Sequence, residues 1–327
     1  MTNGLHDASS VVATFISCGA ATPEQAIVLT SVFGLLGGIF GGSGVANTVS
    51  GVIDLPVQPQ LLIVLLAAIL GATAWNLLTW KLGLPSSSTH ALIGGIIGAV
   101  LVSSGPRHVL WGVSELFGAS HELTGIVKVV VFLLISPVLG FVISFVLEKL
   151  SKLLLRNARF SVNRRLKELQ WLISAVLSYS HGVNDTQKVI GLLALALAAA
   201  GGAAVNTSPL WVRFIGGAVM SAGTMLGGWS IAKTIGSRIY KLRPLHSLNS
   251  QLSAAASVLM ANLFGAPVST THVVVGSVMG VGAADRYKQV NWGIAKEILV
   301  AWVVTIPLSA GVSAAIDWIF CLLFGLK

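Results

Sequence analysis

Long stretches without a single charge constrain this chain more than any other feature. No Asp, Glu, Lys or Arg lies between Asp54 and Lys81, between Lys81 and Arg107, or between Lys188 and Arg213, and the gap from Arg243 to Asp285 is longer still. A helix crosses the hydrocarbon core of a bilayer with about 20 mostly apolar residues, so each gap holds one or two crossings. Charged residues make up 9% of the 327, too few for a water-facing surface, since a soluble domain carries about 25%. The chain reads as an all-α polytopic membrane protein.

A net charge of +9 raises the question of nucleic acid, but the basic residues form no patch interleaved with aromatics. They gather in a few short connections, the pattern of cytoplasmic loops. Cys18 and Cys321 sit in apolar segments near opposite ends and build neither a disulfide framework nor a metal motif. There is no Walker sequence and no Rossmann fingerprint, so ATP-driven pumping by this chain alone is not expected. No cofactor and no enzymatic role is expected either. The Asn206-Thr-Ser208 sequon reads as accidental.

The most basic stretch, 148–170, carries Lys149, Lys152, Arg156, Arg159, Arg164, Arg165 and Lys167. It divides the chain into a first membrane repeat, 1–147, and a second, 171–327. The positive-inside rule makes the connection cytoplasmic, and its leucines suggest a short amphipathic interfacial helix. Apolar segments fall at about 8–21, 26–50, 61–80, 87–104 and 124–147, then 171–205, 210–232, 247–263, 273–284 and 294–324.

Three patches recur in the same order in both halves. Gly4-Leu-His-Asp7 aligns with Gly182-Val-Asn-Asp185, and Val45-Ala-Asn-Thr-Val49 with Ile231-Ala-Lys-Thr-Ile235. Pro85-Ser-Ser-Ser-Thr-His90, followed by Gly94 and Gly98, aligns with Pro267-Val-Ser-Thr-Thr-His272, followed by Gly276 and Gly280. The connection at 51–60 has no Lys or Arg, which suits an external loop. Its counterpart after Ile235 carries Arg238, Lys241 and Arg243, which suits a cytoplasmic one. Equivalent loops on opposite sides mean two inverted-topology repeats, with broken or re-entrant helices meeting near the bilayer midplane.

Asp7 and Asp185 are the sharpest candidates for function, because a carboxylate inside a bilayer must be paired, protonated or bound to a cation. Asp185 belongs to the polar island Ser180-His-Gly-Val-Asn-Asp-Thr-Gln-Lys188. Gly182 allows a helix break that would expose carbonyls and Asn184 as oxygen ligands. The competing reading is a helix end with Asn184 or Asp185 as N-cap. The two Pro-x-Ser-Ser/Thr-Thr-His elements read as helix starts. Unpaired amides and the positive end of the dipole would meet there with the hydroxyls of Ser87, Ser88, Thr89, Ser269, Thr270 and Thr271. Two such starts facing each other would cradle a tetrahedral oxyanion; singly, each is an ordinary cap. His90 and His272 are expected as satisfied packing histidines, and Lys188 either neutralises substrate or snorkels to an interface.

With these elements in hand, the sequence resembles the PiT family of inorganic phosphate transporters over essentially its whole length. The resemblance rests on the duplicated Asp elements, Asn3-Gly-Leu-His-Asp7 and His181-Gly-Val-Asn-Asp-Thr-Gln-Lys188, and on the Pro-x-Ser-Ser/Thr-Thr-His pair. It implies symport of phosphate with sodium or protons across the plasma membrane, by a multi-pass chain that can form a homodimer in the lipid bilayer. The implied phosphate ligands are Asp7, Ser87, Ser88, Thr89, Asn184, Asp185, Ser269, Thr270 and Thr271. The implied sodium ligands are drawn from Asp7, Asn184, Asp185, Thr89 and Thr271. Two departures stand out: the first Asp element comes at residue 7, with no apolar segment before it, and the family's Asp-Ala-Ala-Asn is Asp7-Ala-Ser-Ser10. Rival readings are a sulfate permease of the same broad family and a non-transporting receptor or assembly protein on the same scaffold.

Overall fold

The computed structural model describes residues 1–84, 86–118, 121–201, 209–227 and 229–324. Pro85 and the Asn206-Thr-Ser208 sequon lie outside the described residues. The first repeat contains α1 (Thr2–Ser17), α2 (Pro23–Phe40), the short α3 (Gly44–Ser50), α4 (Gln60–Leu82), α5 (Ser88–Ser103), the single turn α6 (Val113–Phe117) and α7 (Gly125–Leu154). The second contains α8 (Val162–Ala199), α9 (Leu210–Met225), α10 (Trp229–Lys233), α11 (Pro244–Leu263), α12 (Thr270–Arg286) and α13 (Trp292–Phe324). Among the described residues, β structure is limited to one bridge between Ile53 and Val109.

Local chemistry sets the helix ends. Thr22 caps α2 through a capping box with Gln25 and is followed by Pro23, whose missing N–H costs nothing in the first turn. Ser87 and Ser269 cap α5 and α12 by accepting from the amides of His90 and His272. Gly83, at φ 66°, turns the chain out of α4, and Gly265, at φ 59°, does so after α11; glycine enters this left-handed region without a steric cost.

The distribution of polarity is that of a protein dissolved in lipid. Val303 is 75% exposed and Leu134 64%, whereas Asp185 is fully buried and Lys188 is 1% exposed. Among the described residues, four helices, α2, α4, α7 and α13, are long and apolar enough to cross a membrane by length and composition. The polar island prevents α8 from joining that group, although at 38 residues it is the longest helix described.

The two repeats exchange partners. Helix α5 packs along α13 of the other repeat, and α12 packs along α7. Gly94 and Gly98 meet the backbone of α13 at Ile306 and Ala310, while Gly276 and Gly280 meet α7 at Pro137 and Phe141. The second recurring patch crosses over in the same way. Thr48 donates to the Gly265 carbonyl at 2.7 Å, and Thr234 donates to the Gly83 carbonyl at 3.4 Å. Each repeat thus ties down the other's helix break, as a pseudo-two-fold requires.

Three local expectations change. The apolar segment 26–50 is not one helix, because Gly41, Gly42 and Ser43 separate α2 from α3. The basic connection 148–170 forms no separate amphipathic helix: α7 runs to Leu154 and α8 starts at Val162, so Lys149, Lys152, Arg164, Arg165 and Lys167 lie on two helix ends and Arg156 and Arg159 in the link between them. Helix α8 also passes unbroken through Gly182. That glycine serves close packing, since a Cβ there would collide with the Gly34 carbonyl of α2. The breaks lie instead at 83–87 and 264–269, and they turn α4–α5 and α11–α12 into two helical hairpins.

Candidate functional site

The tips of the two hairpins meet, and Thr89 at the start of α5 donates to the Val268 carbonyl just before α12 at 3.0 Å. Helices α1 and α8 bring Asp7 and Asp185 to this junction, where both are buried. Asp7 accepts from Ser88 of its own repeat and, at 3.0 Å, from Thr271 of the other. His6 Nδ1 lies 3.4 Å from the same carboxylate, and its Nε2 faces Ser86 at 3.2 Å and Thr79 at 3.4 Å.

Asp185 is held differently. Lys188, one helical turn on, places its ammonium 2.6 Å from Asp185 Oδ1, 2.6 Å from Thr89 Oγ1 and 2.7 Å from the Val268 carbonyl. The other carboxylate oxygen accepts from Asn3 Nδ2 at 3.1 Å and lies 3.4 Å from His181 Nδ1. His181 Nδ1 also lies 3.1 Å from Thr270 Oγ1. Such burial is tolerable because each charge retains partners; a carboxylate left alone at this depth would cost several kcal/mol.

Not every sequence candidate faces the junction with a spare atom. Ser87 and Ser269 accept the third amide of their helices, the plain capping role. Asn184 does not stand open as a ligand. Its Oδ1 accepts from Val268 N at 3.1 Å, and its Nδ2 donates to Asn262 Oδ1 at 2.7 Å and to the Ala266 carbonyl at 3.1 Å. It braces the break before α12. Of the oxygens expected around a cation, those of Asp7 and Thr271 meet directly, and those of Asp185 and Thr89 meet through Lys188. His90 and His272 pack, with ring centroids 4.6 Å apart and His272 stacked on Trp302 at 3.7 Å. They are not satisfied, since both ring nitrogens of His272 and Nδ1 of His90 are buried without a hydrogen bond.

The sequence reading gave no role to His181, Asn3, Thr79, Ser86 or Gln187. Helical spacing alone would have found His181, at i−4 from Asp185. Gln187 reaches out of the island to accept from Val45 N at 2.8 Å and Ala46 N at 3.3 Å, capping α3. A cavity of about 380 Å³ borders the junction, with Thr2, Asn3, Thr73, Asn76, Ser88 and Lys188 as its polar lining among apolar residues of α4, α5 and α8.

With the third amide of each hairpin helix capped, the amides of Ser88, Thr89, Thr270 and Thr271 remain outside the intrahelical ladder. They point the positive ends of two dipoles at one place. Exchanged inverted repeats, two broken hairpins and buried charge at their meeting point define a membrane transport protein.

The chain belongs to the Phosphate transporter family, whose model matches residues 3–168 and again 156–313. A probable low-affinity inorganic phosphate transporter of Bacillus subtilis is 38% identical over 325 residues, covering 98% of this chain and 94% of the relative. One of the same description from Rhizobium meliloti is 38% identical over 317 residues, covering 95% of this chain and 90% of the relative. A solved structure titled "The sodium-dependent phosphate transporter" superposes with a TM-score of 0.85 at 28% identity, covering 98% of this chain and 96% of that one.

Proposed function

We propose that this protein imports inorganic phosphate across the plasma membrane by symport with a cation, sodium or a proton. One observation carries the reading: two buried carboxylates, Asp7 and Asp185, lie at the junction of two hydroxyl-bearing helix starts. Helix N-termini and hydroxyl donors suit a tetrahedral oxyanion. The carboxylates favour one that still carries a proton, because a P–OH group donates to a carboxylate and sulfate has no such donor. Sites built around a specific hydrogen bond reject analogues lacking it by factors of about 10⁴. The same carboxylates account for coupling. Two of them against the single ammonium of Lys188 leave one negative charge, and the substrate adds one or two more, so a cation that enters with phosphate relieves the repulsion.

The test is uptake of labelled phosphate into proteoliposomes with sodium and proton gradients imposed separately. Uptake should need one of the two gradients, be blocked by excess arsenate, which shares the hydroxyl donor, and be indifferent to equal sulfate. Sulfate competing as well as arsenate would favour the sulfate permease, and no uptake under either gradient the receptor or assembly protein.

A further inference from the structure

The two halves of the site differ in formal charge at one position. By the pseudo-two-fold, Asp7 corresponds to Asp185 and Thr271 to Thr89, yet Ser10 corresponds to Lys188. In the first half the carboxylate accepts directly from the opposing hydroxyl, Thr271 to Asp7 at 3.0 Å. In the second half the ammonium of Lys188 stands between carboxylate and hydroxyl, 2.6 Å from each. Its third contact is the Val268 carbonyl, which belongs to the unwound segment before α12. A carboxylate, a hydroxyl and a carbonyl freed by a helix break form the hard-oxygen donor set that transporters present to sodium. The 2.6–2.7 Å spacing is only slightly longer than the 2.3–2.6 Å at which oxygens hold Ca²⁺, an ion of sodium's size. Ser10 brings no charge to the other half, and its hydroxyl is turned back on the Asp7 carbonyl at 2.7 Å.

We propose that Lys188 is a tethered cation occupying, on the Asp185 side, the place an alkali ion would take, so that the exchangeable cation of the transport cycle is confined to the Asp7 side. This inference rests on the symport reading. Asp185 and Lys188 cancel, leaving Asp7 with Ser88 and Thr271 as the one carboxylate whose charge an entering ion can neutralise. Each cycle then moves one cation fewer than it would if both carboxylates were open. The cavity reaches Lys188 and Ser88 alike, so the asymmetry follows from the side chains and not from access.

Sodium binding read as thermal stabilisation of the detergent-purified protein tests this without transport, with NaCl titrated against choline chloride. Lys188→Ala removes the ammonium and opens its space; Lys188→Met removes the charge and keeps the stem. The expected result is a sodium-dependent rise in Tm for Lys188→Ala beyond that of the parent, on the order of 2–4 °C at saturation. Lys188→Met and the Lys188→Ala/Asp185→Asn double variant should show no such gain. A response of Lys188→Ala equal to the parent's, or an equal gain in Lys188→Met, overturns the proposal. Should Lys188→Ala yield no stable protein, Asp7→Asn decides by comparison with the parent: loss of the parent's sodium response supports confinement to the Asp7 side, and a sodium response in Asp7→Asn overturns it. The phosphate uptake assay on the parent protein reports separately on the symport reading.

Discussion

At the scale of single residues, the two carboxylates that sequence treats as equivalents are not equivalent in the fold. Asp7 is surrounded by neutral donors, Ser88 and Thr271, with His6 beside them. Asp185 is half of a buried ion pair. Removing one partner of such a pair leaves an uncompensated charge and costs about 3–5 kcal/mol, whereas replacing both by neutral groups can be nearly neutral. Asp185→Asn should therefore lower Tm more than Asp7→Asn, and Asp185→Asn/Lys188→Met should recover much of the loss. Equal melting temperatures for the two single variants would show that Lys188 does not depend on Asp185. Transport should fail in all three variants. The importance of the Asp elements was legible in the sequence, because charge inside apolar runs is conspicuous. The inward turn of Lys188 was not, since a lysine near a helix's midpoint snorkels or pairs according to neighbours that only the fold supplies. Asn184 misleads for a similar reason: its amide suits an ion equally well, but three backbone and side-chain partners from 262–268 reach it first.

At the scale of elements, the recurring patches of sequence turn out to be the contacts between repeats. The glycines after each Thr-His pair let α5 and α12 press against the long proline-containing helices α13 and α7. A Cβ on Gly98 would fall inside the Ala310 carbonyl, and one on Gly280 inside the Phe141 carbonyl. Because the obstacle in each case is backbone, the helices must separate, and overpacking of this kind costs about 1–3 kcal/mol. Gly311, on α13, is a matched control: nothing lies within 4 Å of its added Cβ, and alanine favours the helix by up to about 1 kcal/mol. Gly98→Ala and Gly280→Ala should thus lower Tm in detergent, while Gly311→Ala leaves it unchanged or raises it. A fall shared equally by all three would mean that helix separation is not the cause. Pattern reading found the helices and the repeat, since apolar runs and motif recurrence are written in one dimension. It could not find the continuity of α8, because Gly182 reads as a break until Gly34 is seen to need the space. Nor could it foresee that most of 148–170 extends two helices, leaving only 155–161, with Arg156 and Arg159, between them.

For the whole molecule, the inverted arrangement makes a statement about two ends that the packing supports independently. At one end residues 51–60 join the segment after α5, where Ile53 bridges Val109, Asp54 N donates to the His108 carbonyl at 2.9 Å and His108 Nδ1 lies 2.8 Å from the Asp54 carbonyl. At the other end the last turns of α7 and α12 and the first turn of α11 share a charged cluster. Asp285 there receives Lys152, Tyr240 and Arg243, and Asn249 donates to Glu148 at 2.8 Å. Basic residues mass at this second end, from Lys149 to Lys167 and again at Arg238, Lys241 and Arg243. The positive-inside rule predicts that this end is cytoplasmic and that the first end faces outward. Single cysteines at Val57 and Lys241, both exposed, read the two ends directly. The native Cys18 and Cys321 are buried and form no disulfide, so they should stay silent to a membrane-impermeant thiol reagent. Val57→Cys should label in intact cells, and Lys241→Cys only after the membrane is opened. The repeated patches place Thr48 and Thr234 as equivalents, so the loops that follow them must emerge on opposite sides if the two-fold axis lies in the membrane plane. Labelling of both cysteines from one side would place the axis along the membrane normal instead, and the two hairpins could not then approach the shared site from opposite faces.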